Sequence, residues 1–262
     1  MTPSVPRVAV LVPALNERAA IRGVVESALT ELPDLILVDD GSSDGTADQV
    51  ADLPGVTVIR HDTPRGKGEA LRAGFRHALA QGFDAVVTMD GDGQHVATDI
   101  PRLLAAAALY PGHIVIGARL INREQQPAYR RRANNFADWG ISWACGQRVV
   151  DTQSGQRYYP RAVMELADSA GEGFVFETDI LIEASRRRKA RMVSVPIASR
   201  YHSEFRRSHF RSLPDFTRIA SRVVWRIVRA GFMIGNFRRV RREPALIVDP
   251  QPPFLQPQAP PT

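Results

Sequence analysis

Four short apolar runs separated by helical patterns constrain this chain more than any other feature. They read VAVLV (8–12), LILV (35–38), AVVTM (85–89) and IVIGA (114–118). Runs without a polar face suit strands buried on both sides. The pattern predicts strands over 7–12, 35–39, 56–60, 84–89, 113–118 and 192–197. Helices are predicted over 17–29, 46–53, 67–80, 101–110, 129–145, 161–169 and 178–188. Strand and helix alternating at this spacing imply right-handed crossovers and an α/β fold, a Rossmann-like, mostly parallel central sheet flanked by helices. Ligands in such sheets bind beyond the carboxyl ends of the strands. The residues that matter most are therefore 13–17, 39–46, 90–95 and Arg119.

Two of these strand ends are acidic. Asp90-Gly91-Asp92-Gly93-Gln94 leaves an apolar strand directly. Side chains at i and i+2 point the same way, so both carboxylates can face one cation, and hard oxygen donors suit Mg²⁺ or Mn²⁺. An EF-hand is excluded because His95 and Pro101 fall where its glycine and glutamate belong. Val38-Asp39-Asp40-Gly41-Ser42-Ser43-Asp44-Gly45-Thr46 offers another carboxylate pair, with Asp40 turned to a ligand and Asp44 serving the backbone. Other chemistries lack support. Arg65-Gly66-Lys67-Gly68 is not a Walker loop, no G-x-G-x-x-G follows the first strand, and Ser154 lacks a nucleophile elbow. The single cysteine, Cys145, excludes a disulfide framework and a Cys-rich zinc site.

The ordered series Pro13-Ala14-Leu15-Asn16-Glu17, 38–46, Gly66-Lys67-Gly68, 89–95, Gly117-Ala118-Arg119, 151–157 and Val195-Pro196-Ile197 resembles the family 2 glycosyltransferases of GT-A fold. Within them it is similar to the dolichyl- and polyprenyl-phosphate sugar synthases, and Ser208-His209-Phe210-Arg211 also fits. The resemblance implies an inverting, metal-dependent transfer from a nucleotide diphosphate sugar, of GDP-mannose or UDP-glucose type, to a polyprenyl phosphate. It implies that Pro13, Leu15, Glu17, Val38, Asp40 and Lys67 line the donor site. Asp90, Asp92 and Gln94 would hold Mg²⁺ or Mn²⁺, and Arg119, Arg131 and Arg211 would face phosphates. Glu177 and Asp179 fall where some relatives keep a catalytic base; a carboxylate pair at a helix N-terminus is the other reading. A hydroxyl acceptor, or a nucleotidyltransferase on a similar sheet, is the alternative among enzymes.

Charge divides the chain. Residues 1–185 carry a net −7 and residues 186–242 a net +15, and 32 of the 34 basic residues are arginine. A basic third of this kind meets a polyanion. Pro214–Phe237 reads as a helix with Arg218, Arg222, Arg226 and Arg229 in one row over an apolar remainder, a form that suits an anionic membrane interface. A nucleic-acid-binding protein is the rival from another class, but no recognised binding module is present and no nucleic-acid partner is expected. The resulting division is a GT-A domain over 1–211, a basic amphipathic helix over 212–243 and a Pro-rich disordered tail over 244–262. Met1–Arg7 has no signal-peptide core, and no uncharged run approaches the roughly 20 residues that span a bilayer. The expected location is cytoplasmic, peripheral on the inner membrane face.

Overall fold

In the computed structural model, which describes residues 6–126, 128–169, 175–198, 214–229 and 231–250, seven strands form one sheet. They are β1 (Val8–Ala14), β2 (Leu35–Asp39), β3 (Val56–Arg60), β4 (Ala85–Thr88), β5 (Ile114–Arg119), β6 (Arg157–Pro160) and β7 (Met192–Ile197). Their order is β3-β2-β1-β4-β6-β5-β7. All neighbours pair in parallel except β6, which runs antiparallel to both β4 and β5. β6 is the one strand the apolar pattern does not announce. Its sequence RYYP opens on an arginine and ends on a proline.

The helices are α1 (Ile21–Leu29), α2 (Lys67–Ala80), α3 (Ile100–Leu109), α4 (Ala128–Cys145), α5 (Arg161–Met164), α6 (Phe176–Glu183), α7 (Pro214–Arg229) and α8 (Ile234–Arg242). Two apolar cores lie on the two sides of the sheet. One joins Leu11, Ile36, Phe75, Ile116 and Phe176, and the other joins Val10, Val12, Ile21, Leu37, Leu103 and Val115. Alternate residues of β1 thus serve opposite cores, as a strand covered on both faces must.

Four expectations change. The helix expected over 161–169 is the short α5, Arg161–Met164, followed by a 3₁₀ turn at Ala167–Ser169. Residues 46–53 form a short 3₁₀ turn at Ala47–Gln49 instead of a helix, because the Asp44 side chain bonds the Thr46 N–H and hydroxyl and Gly45 has positive φ. The C-terminal helix does not run through to Phe237. α7 stops at Arg229, and Phe232 and Met233 take left-handed conformations before α8 begins. Residues 244–250, assigned above to the disordered tail, run beside β7, where Ser194 N donates to Leu246 O and Val248 N to Ser194 O, both at 2.9 Å. Arg102 reaches Asp249 at 2.6 Å from the neighbouring helix. Among the described residues no helix is long and apolar enough to cross a membrane.

Candidate active site

The carboxyl ends of β1, β2, β4 and β5 open on one edge of the sheet. Because β6 runs the other way, the loop that meets this edge is the one entering it, residues 151–156. Asp90 leaves β4, Lys67 opens α2 and Glu177 lies in the first turn of α6. Lys67 Nζ joins the two acids, 2.7 Å from Asp90 Oδ1 and 3.1 Å from Glu177 Oε2. Burial works against both charges here, yet the carboxylates hold the Lys67 ammonium above its usual range. Lys67, then His95, likewise hold Asp90 well below the ordinary carboxylate value. His95 Nε2 stands 3.5 Å from Asp90 Oδ2.

Asp92 behaves differently. Burial, and then the neighbouring Asp90 charge, push its carboxyl upward, and its hydrogen bond from Gln94 N at 3.0 Å offsets this only in part. Two like charges held side by side are the arrangement a divalent cation relieves. The donor set fits Mg²⁺ or Mn²⁺, both of which favour oxygen. Among the described residues no three His, Cys, Asp or Glu side chains form a complete cage. The remaining ligands would come from substrate phosphate and water, which is how Mg²⁺ is usually held.

Loop 151–156 is packed directly against this pair. A Cβ on Gly155 would collide with the Asp90 carboxylate, so only glycine lets the backbone pass. Arg157, 1% exposed, holds the loop from below. It donates to Ser154 O at 2.7 Å, Thr152 O at 2.7 Å, Tyr159 Oη at 3.0 Å and Glu177 O at 3.1 Å. Asp138 of α4 receives Asp151 N at 2.9 Å and Thr152 N at 2.8 Å. Gly155 and Arg157 fall in the 151–157 motif but, like Asp138, are not among the site residues expected from the sequence.

Several expected ligands are committed elsewhere. Asp40 is buried, with Oδ1 accepting from Arg65 N at 2.9 Å and Oδ2 from Gly66 N at 2.7 Å, while His61 Nδ1 lies 2.7 Å away. It braces the Gly66 turn, whose φ of 95° suits glycine, directly before Lys67. Val38 is fully buried in the core near the end of β2. Arg119 is locked in a two-pronged pair with Asp151, at 2.8 and 2.7 Å, and Arg119 N adds a third bond at 2.7 Å. It therefore positions loop 151–156. Asp179 is wholly buried and faces α7, with Arg222 Nε and Arg226 Nε each 3.1 Å away. It takes no part in the strand-end cluster. Arg222 and Arg226 are correspondingly turned inward instead of forming a solvent row.

Pro13, Leu15 and Glu17 lie half-buried at the end of β1 and beyond, as expected for a rim. Asn16, with φ 55°, and Glu17 are tied to the 42–46 loop through Ser42 Oγ and Thr46 Oγ1, each at 2.9 Å. Gln94 is half-buried beside Asp92. Arg131 sits on α4 and contributes to none of these contacts, and Arg211 lies outside the described residues.

The model of the family "Glycosyl transferase family 2" matches residues 9–213. Undecaprenyl-phosphate mannosyltransferase of Micrococcus luteus is 32% identical over 212 residues, covering 73% of this chain and 82% of that protein. Polyprenol monophosphomannose synthase of Mycolicibacterium smegmatis is 31% identical over 187 residues, covering 66% and 70%. Glucosyl-3-phosphoglycerate synthase from Mycobacterium tuberculosis, solved with Mn²⁺, uridine diphosphate and phosphoglyceric acid, superimposes with a TM-score of 0.62. It covers 86% of this chain and 79% of that one at 24% identity, which shows a shared fold.

Proposed function

The chain belongs to glycosyl transferase family 2, and from that membership we propose that it moves a hexose from a nucleotide diphosphate sugar to a polyprenyl phosphate. The donor is of GDP-mannose or UDP-glucose type, and the anomeric configuration inverts. Support for the donor comes from the acidic pair Asp90 and Asp92 at the ligand edge of the sheet. With Gln94 they would hold Mg²⁺ or Mn²⁺, which when bound neutralises the diphosphate leaving group. Lys67 keeps Asp90 ionised and, with Gly155, sets where its carboxylate points. Pro13, Leu15 and Glu17 form the rim on which the nucleotide rests.

The observation that carries the acceptor reading is the state of the remaining carboxylates. Asp179 is sealed behind α7, and Glu177 is paired with Lys67. A hydroxyl acceptor needs a base to take its proton, and of the two carboxylates expected in that role one is buried against α7 and the other is ion-paired with Lys67. A phosphate monoester has a second pKa of about 6 and arrives with an oxygen already ionised. The acceptors in the names of the two curated relatives, undecaprenyl phosphate and polyprenol phosphate, have this chemistry. Incubation of the protein with Mn²⁺, a polyprenyl phosphate and labelled UDP-glucose or GDP-mannose tests it. Label should appear in the lipid phase. Transfer only to a hydroxyl acceptor would move the reading to that class.

A further inference from the structure

α7 shows different chemistry on its two sides, and neither side is used by the site described above. Toward α4 it borders an apolar groove lined by Phe136, Trp139, Trp143, Val223, Val224 and Ile227. Toward α6 it borders a cavity of about 310 Å³ lined by Arg186, Arg222, Trp225, Arg226 and Arg229. The guanidinium groups of Arg222 and Arg229 lie over the Trp225 ring, 5.0 and 4.9 Å from its centre. Phe136, Val224, Phe232 and Ile234 are 60%, 58%, 56% and 59% exposed. Trp143 Nε1 donates to the Phe232 carbonyl at 3.1 Å, which ties the exposed bend between α7 and α8 to α4.

We propose that this face of α4, α7 and the α7–α8 bend is a docking surface for an anionic phospholipid bilayer. Phe136, Val224, Trp225, Val228, Phe232 and Ile234 would enter the interface, and Arg229 and Arg186 would meet lipid phosphates. The choice of occupant follows from charge and apolarity together. Between 214 and 242 the chain has eight arginines and one acid, Asp215, so the partner is negative. A nucleic acid would match the arginines but leave large apolar side chains against phosphate and water. A bilayer interface takes both, with aromatic side chains at the headgroup level and basic ones among anionic lipids. Arg222 and Arg226 contribute differently from Arg229, since Asp179 and Glu183 already neutralise them. The proposal rests on the lipid-acceptor reading only in that such an acceptor resides in a bilayer.

The test is co-sedimentation of the full chain with vesicles of phosphatidylcholine alone and of phosphatidylcholine mixed with phosphatidylglycerol. Turnover is measured in parallel on a short-chain, water-soluble polyprenyl phosphate. Wild type should sediment with the mixed vesicles. Arg229→Ala should weaken that binding about fivefold, and Val224→Asp with Val228→Asp should abolish it while short-chain turnover is retained. Trp225→Ala, a milder change, should weaken binding if the aspartate pair disturbs folding. Failure of wild type to bind either vesicle, equal binding by wild type and all variants, or salt-sensitive binding to duplex DNA without vesicle binding would overturn the surface. Vesicle binding without turnover on any polyprenyl phosphate would leave the surface standing and refute the acceptor reading.

Discussion

Glu177 and Asp179 stand two residues apart on α6 and end in two unlike places. Glu177 enters an ion-paired cluster at the open edge of the sheet. Asp179 enters a closed one, where with Glu183 it meets Arg222 and Arg226 of α7. The closed cluster is matched in spacing: acids at i and i+4 on α6 face arginines at i and i+4 on α7. Glu183 also meets Arg187, at 2.7 Å, and burial of the two acids is tolerated because each has cationic partners. In the open cluster Lys67 serves two acids, and Asp92 remains beside Asp90 with its carboxyl pushed upward. Carboxylates face cationic side chains in both, and the number of cations across the gap decides the role. A saturated pair holds a helix in place, whereas an unmatched pair is ready for an external cation.

The largest expected effect tests the closed side. Asp179→Asn removes the buried carboxylate shared by Arg226 and the half-exposed Arg222, and with Glu183 still beside Arg226 it should lower stability by about 3 kcal/mol, the low end for a broken buried pair. Well below the melting transition its turnover should fall by less than about tenfold, short of the roughly 10²–10⁴-fold loss that removal of a general base brings. Denaturant melts and kcat on the same preparation check both, and an intact Tm with collapsed kcat would place Asp179 in the chemistry. Gly155→Ala probes the open side. A methyl group there displaces the Asp90 carboxylate, and a shift of about 1 Å can cost about 10²-fold in rate. Far-UV circular dichroism should be unchanged, and a fully active variant would show that the position of Asp90 does not matter. The smallest effect is that of Glu177→Gln, which keeps the shape but loosens Lys67. Turnover on a polyprenyl phosphate should fall by less than about tenfold, and a deeper loss would make Glu177 the base of a hydroxyl-acceptor enzyme.

Much of this molecule was legible from residue pattern. The limits of β2, β3, β7 and α2 agree with the apolar runs and turn signals, since strands buried on both faces leave an unambiguous pattern. The acidic loop after β4 was visible for the same reason. What was missed needed tertiary knowledge. β6 has no apolar run because Arg157 is buried among carbonyls, a pairing no local pattern reveals. The pairing of Arg119 with Asp151, 32 residues later, is likewise beyond any local pattern. Asp40 looks open until the 65–66 backbone closes on it. The separation of Glu177 from Asp179 was readable: two residues on a helix differ by about 200° around the axis, so one small site cannot take both.

The central claim is that Asp90 and Asp92 form the place where a nucleotide diphosphate sugar and its divalent cation bind. The direct measurement is thermal stability of wild type and Asp92→Asn with UDP-glucose and with GDP-mannose, each with Mn²⁺ and with excess chelator. At about 100 times its Kd a ligand that binds only the folded protein adds about 2.7 kcal/mol. One of the two donors should therefore raise the melting temperature of wild type in Mn²⁺, the gain should vanish with chelator, and Asp92→Asn should show neither. Stabilisation that persists in chelator, or that Asp92→Asn retains in full, would contradict the account.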